Sequence, residues 1–277
     1  MPAQESIPPA ANVLGTIGTV LWCVQLIPQI WYNYKNKSTE GLPAIMMLVW
    51  GFAGVPFGAY AVIQLTQSFT KNLNIPIQIQ PQCFASLSLI SWAQCLHYSS
   101  GWAIWSSSLL ALGVAAACAG AEVALILTLR PIYDRGIEWP MLIVGITASI
   151  LLAAGLIPPY FEIWKRRGRV VGIDFVFLSI DWFGALFSIM SLVAQHTFDY
   201  LGGVLYLVVI LLESGIFISH WVWLFRTRKQ RKAEKEADAT VAAATAVTSP
   251  ALVDERSCDI ASTTESSNKE VELKQEV

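Results

Sequence analysis

"LIPQIWYNYKNKSTEGLPA", residues Leu26–Ala44, sets a Pro-Gln pair near the end of an apolar run, then aromatics, two lysines and a polar turn. Proline lacks the N–H that a helix needs, and its ring crowds the carbonyl four residues back, here that of Val24. In a bilayer the freed carbonyl must find a partner in a neighbouring helix or in trapped water. The stretch therefore reads as a kinked membrane helix that ends in a basic, water-facing turn.

The surrounding composition agrees. Of 277 residues, 55% are hydrophobic and only 14% charged, where a soluble domain carries about a quarter. The deficit lies between Asn12 and Phe225, in apolar runs separated by short polar breaks. A span needs roughly 20 mainly apolar residues, and seven segments qualify: Asn12–Tyr32, Leu42–Gln64, Ile75–His97, Trp102–Leu129, Trp139–Trp164, Gly172–Ala194 and Tyr200–Phe225. The third carries four Gln and several Ser. It cannot face lipid on all sides and needs other helices or a wet cavity for its amides. The opening "MPAQESIPPA" lacks the basic region of a signal peptide, so no cleaved leader is expected.

Basic residues set the orientation. Lys35 and Lys37 follow the first span, Lys165, Arg166, Arg167 and Arg169 the fifth, and Arg226, Arg228, Lys229, Arg231 and Lys232 the seventh. The opposite breaks hold Lys71, and Arg130 and Arg135 beside Asp134 and Glu138. The positive-inside rule puts the C-terminus in the cytosol and the N-terminus in the lumen or outside. Residues 226–277, rich in Ala, Ser, Thr and Glu, bury too little apolar surface to fold and read as a disordered cytosolic tail. That tail is a possible docking segment for a cytosolic protein.

The opening stretch returns 130 residues later as Leu156–Phe175, "LIPPYFEIWKRRGRVVGIDF". Pro28 falls on Pro158, Lys35 on Lys165, Gly15 on Gly145 and Gly54 on Gly184. Both basic turns lie on one side, so the first and fifth helices run in the same direction. Two parallel copies of a three-helix unit require a reversing helix between them, and the fourth span supplies it. The expected fold class is an all-α integral membrane protein of seven transmembrane helices, two parallel three-helix repeats joined by an inverting linker helix. The segments are an N-terminus at 1–11, a first repeat at 12–97, a linker at 102–129, a second repeat at 139–225 and the tail at 226–277.

Pro28-Gln29 with its basic turn, the second copy at Pro158-Pro159 and the seven-helix plan resemble the PQ-loop repeat family. Its relatives include cystinosin, the vacuolar and lysosomal cationic amino acid transporters and, more distantly, the SWEET sugar carriers. The resemblance covers about residues 12–225. It departs at Pro159, which leaves Gln29 without a counterpart; Pro81-Gln82 has no basic turn and reads as incidental. The resemblance implies a carrier in a vacuolar, lysosomal or other endomembrane, exporting amino acids or similar small solutes with protons. Pro28, Gln29, Pro158 and Pro159 are then the hinge motif. A second reading is a receptor or scaffold of the same fold that recruits cytosolic partners.

Acids within spans are costly and mark pathways. Glu122, Asp181 and Glu213 are the three. Asp181 in "LSIDWFGAL" is similar to a cystinosin segment whose aspartate is linked to proton coupling, and Glu213 matches an acidic position in the last helix there. Asp181 and Glu213 are thus candidate proton-coupling residues, with Gln94, Trp50 and Trp182 as candidate cavity residues. Glu122 lies in the linker helix and reads as structural, and His97, His196 and His220 as polar tips at the headgroup level. Cys23, Cys83, Cys95, Cys118 and Cys258 show no metal-binding or disulfide spacing. No phosphate loop or nucleophile elbow is present, so neither an enzyme, a cofactor nor a nucleic-acid partner is expected.

Overall fold

The computed structural model describes residues 8–67, 75–194 and 200–272; Lys71, His196 and most of the 1–11 segment lie outside them. Regular structure among the described residues is entirely helical: α1 (Pro9–Val24), α2 (Leu26–Asn36), α3 (Ala44–Gln67), α4 (Ile75–Tyr98), α5 (Ile104–Asp134), α6 (Trp139–Gly155), α7 (Ile157–Lys165), α8 (Phe175–Val193) and α9 (Tyr200–Glu272). Six stretches are long and apolar enough to cross a bilayer: Pro9–Asn36, Ala44–Ile63, Ile104–Asp134, Trp139–Lys165, Phe175–Val193 and Gly203–Gln230. The chain is a multi-pass helical membrane protein.

Helix α4, the third of the expected spans, falls short of that apolarity. Several of its polar residues point inward instead: Gln80, Ser88 and Ser91 are buried, and the helix packs against α1, α2, α3 and α5. Helix α5 shows the opposite pattern. Leu109, Leu112 and Leu127 are exposed, as suits a helix whose neighbour over much of its surface is lipid. Glu122, the acid in its middle, is buried and accepts a hydrogen bond from Gln82 Nε2. Gly58 of α3 leaves the room, since a Cβ there would lie 2.2 Å from Glu122 Oε1. Gln82 of the second Pro-Gln pair thus holds α5 to its neighbours.

The two proline motifs act where the sequence places them. Helix breaks at Gln25, between α1 and α2, and again at Leu156, between α6 and α7. Pro28 and the pair Pro158-Pro159 sit just beyond each break, where missing N–H groups leave the preceding turn open. At the second break the Leu156 N–H closes a tight turn on Ala153 O (3.0 Å).

Helices pair crosswise between the two halves of the sequence: α1 packs on α8 and α3 on α6. Two buried tryptophans cross these contacts. Trp22 Nε1 donates to Asp181 O (3.1 Å) and Trp50 Nε1 to Leu152 O (3.0 Å). Glycine makes each approach possible, since a Cβ on Gly184 would lie 2.3 Å from the Trp22 ring and one on Gly155 2.1 Å from Trp50 Nε1. Neither ring can yield, being buried and hydrogen-bonded. Gly155→Ala should therefore cost about 1–3 kcal/mol by overpacking, read as a lower unfolding temperature in detergent. Unchanged stability would show that the α3–α6 contact is looser than described.

Residues from Leu224 onward form a unit of their own. Helix α9 runs on there through the Ala-rich stretch "AEKEADATVAAATA" to Glu272. Side chains 236–243 are exposed, so helix in this region rests on local propensity and on pairs such as Lys232–Glu236 (3.8 Å).

Candidate functional site

A polar stripe runs down α1 and α2. Gln25, Gln29 and Asn33 recur every fourth residue, which places them on one helical face, and all three are buried. They serve two different places.

Gln29 and Asn33 tie the basic end together. Gln29 Nε2 donates to Asn33 Oδ1 (2.9 Å) and to Gly172 O (2.8 Å), while the Asp174 N–H donates to Gln29 Oε1 (2.7 Å). Asp174 is the N-cap of α8, its carboxylate accepting from the Phe177 N–H (3.3 Å). Asn33 Nδ2 donates to Gln94 Oε1 (2.9 Å), and Gln94 Nε2 to Ile30 O (3.1 Å). Gln29 therefore does not serve the carbonyls freed by its own proline. Its amide is spent on the loop before α8, because Gly172 O and the Asp174 N–H have no helical partner there. Pro159, the matching position in the second copy, is buried and has no side-chain donor to offer.

The same end is closed by backbone. Gly41 and Gly172, at φ +87° and +83°, hold their loops so close that a Cβ on Gly172 would sit 2.2 Å from Glu40 O and one on Gly41 2.4 Å from Val171 O. Arg166 adds an ion pair with Glu40 (3.1 Å), exposed and worth little.

Gln25 serves the other place, a small, partly open cavity of about 30 Å³ between the crossed helices. That is room for one or two water molecules. Trp22, Gln25, Trp50, Gln80, Phe84 and Asp181 contribute to its wall. Gln25 is 3% exposed and its Oε1 has no hydrogen-bond partner. Asp181, 5% exposed, projects from α8, and Glu213 of α9, fully buried, lies beside it close enough to interact electrostatically. No donor reaches either carboxyl oxygen of Glu213. Tyr160, also a neighbour of Glu213, donates its hydroxyl to Leu212 O instead. Two adjacent buried carboxyl groups share a proton more readily than they carry two charges.

Of the candidate cavity residues, Trp50 is in the wall. Gln94 belongs to the clamp at the basic end, and Trp182 turns away to donate to Ser214 Oγ (3.0 Å), joining α8 to α9. Trp22, Gln25 and Gln80 were not singled out from the sequence. The i, i+4, i+8 spacing of Gln25, Gln29 and Asn33 was the available signal. Among the described residues no group of three His, Cys, Asp or Glu is gathered as a metal site.

Comparison with known proteins bears on this arrangement. Residues 10–69, α1 to α3 with the first kink and its basic turn, match the PQ loop repeat. A Saccharomyces cerevisiae protein described as an uncharacterized membrane protein is 46% identical over 220 residues, 79% of this chain and 68% of that relative. The chain belongs to the PQ-loop repeat family. A Schizosaccharomyces pombe protein, described as uncharacterized, is 36% identical over 214 residues, 77% of this chain and 72% of its own length. Within the PQ-loop framework, Pro28-Gln29 is thus both a kink and, through its amide, a bond to the second half of the chain.

Proposed function

We propose that this PQ-loop protein is a proton-coupled carrier that exports amino acids or similar small solutes from an organelle. The observation that carries the reading is Asp181 in the wall of a cavity between crossed helices, with Glu213 beside it. In this reading seven helices form two parallel repeats around that cavity, with α5 as the inverting linker. The 130-residue offset supports it. Positions 22 and 152 correspond, as do 51 and 181; the Trp22–Asp181 bond joins 22 to 181, and the Trp50–Leu152 bond joins 152 to position 50, one residue short of the matching site. The N-terminus is then lumenal and the basic end cytosolic.

In this reading the described arrangement is one state of the carrier, with a small cavity and a basic end held by the Gln29 clamp and the Gly41–Gly172 approach. A solute of several heavy atoms needs the cavity to widen, and the breaks at Gln25 and Leu156 are where the helices can swing. Protonation of the Asp181–Glu213 pair from an acidic lumen removes the charge that would otherwise cross the membrane interior. Opening of the clamp then releases solute and proton to the cytosol.

Purified protein in liposomes, with an imposed pH gradient and a panel of labelled amino acids and other small solutes, tests this. Uptake that collapses when the gradient is dissipated is the expected result. No uptake of any solute by protein of normal heat stability would favour the receptor or scaffold reading.

A further inference from the structure

We propose, resting on the carrier reading above but narrowing its solute class away from amino acids, that the solute is a small organic amine bound as a cation and lacking a carboxylate. The cavity wall offers acceptors and ring faces. Asp181 supplies a carboxyl group, and the buried Gln25 Oε1 is an acceptor with nothing donating to it. Trp22, Trp50 and Phe84 supply aromatic surface. Both indole N–H groups, which would otherwise suit an anion, are already spent on main-chain carbonyls at 3.1 Å and 3.0 Å. What the tryptophans present to a ligand is therefore their rings, and aromatic faces attract cations.

Donors are scarce by comparison. None of the described wall residues is Lys, Arg, His, Ser, Thr or Tyr, which leaves the neutral amides of Gln25 and Gln80. A carboxylate brought into this wall would lose its water and gain no opposite charge, which is costly. A sugar would bury many hydroxyls against a largely apolar surface with too few partners. An ammonium group meets the opposite situation: it donates to Asp181 and to the waiting Gln25 Oε1, and an apolar body lies against the rings. The unpartnered amide oxygen, buried in a membrane interior, is the mark of a ligand that brings its own N–H.

The test uses matched pairs that differ only in the carboxylate: agmatine against arginine, and 2-phenylethylamine against phenylalanine, with glucose as a third class. The full chain is reconstituted in liposomes for uptake, and heat stabilisation in detergent gives a second readout that needs no transport. Each amine should be taken up about tenfold better than its amino acid, or more, and should stabilise the protein more. Gln25→Leu, similar in volume, should lower amine uptake about tenfold while keeping the unfolding temperature of the empty protein. Equal or better uptake of the amino acids or of glucose would overturn the amine assignment and leave the carrier reading intact. Heat stabilisation by amines without any uptake would remove the carrier reading and support the ligand assignment. Neither uptake nor stabilisation would overturn both.

Discussion

Asp181→Asn is expected to abolish uptake driven by a proton gradient. Asparagine keeps the shape of the side chain but cannot take up a proton at neutral pH or carry a charge, so Glu213 loses the acid beside it. With no proton acceptor at position 181 the gradient has nothing to act on, so uptake should fall to the level of protein-free liposomes. The backbone carbonyl of Asp181, which Trp22 uses, is untouched, so the unfolding temperature should stay within a few degrees of the parent. Uptake assays at matched protein content, beside thermal unfolding, separate the two effects. Full gradient-driven transport by the variant would remove Asp181 from the coupling step.

Gln29→Leu should give the largest change in stability. Three hydrogen bonds in a fully buried site disappear together. Gly172 O, the Asp174 N–H and Asn33 Oδ1 each lose a partner there, and a buried polar group left unpaired costs about 1–3 kcal/mol. A total of about 3 kcal/mol or more corresponds to a fall of roughly 5–10 °C in unfolding temperature for a chain of this size. The loss is local to the basic end, so accessibility of that end to water-soluble reagents should rise as well. A variant with parental stability and a closed basic end would show that the Gly41–Gly172 approach alone holds it.

The kinks were legible because proline chemistry acts within one turn: Pro28 and Pro158 place the breaks at Gln25 and Leu156 without any tertiary information. The apolar runs were equally local, and helix bounds moved by only a few residues, apart from α9. Partners were not legible. Gln29 stands beside its own kink in the sequence, yet its amide bonds residues more than 140 positions away. That choice depends on which loop lies alongside, which α8 packing decides. Trp50 and Trp182 looked alike in sequence, both indoles within apolar segments. One lines the cavity and the other turns to Ser214, because adjacent helical residues point about 100° apart. Gln94 in the polar third span was read as a cavity residue for its polarity, and that polarity is consumed by Asn33 and Ile30 O.

The central claim is that the basic end opens and closes around the two kinks. Spin labels at Asn36 and Lys165, the exposed ends of α2 and α7, in a chain whose native cysteines are replaced, report it directly as a distance distribution in liposomes. The account predicts two populations. The shorter should match the clamped arrangement, and the longer should grow with acid pH and a transported solute and dominate in Gln29→Leu. A single distance that neither pH, solute nor that substitution moves would contradict it.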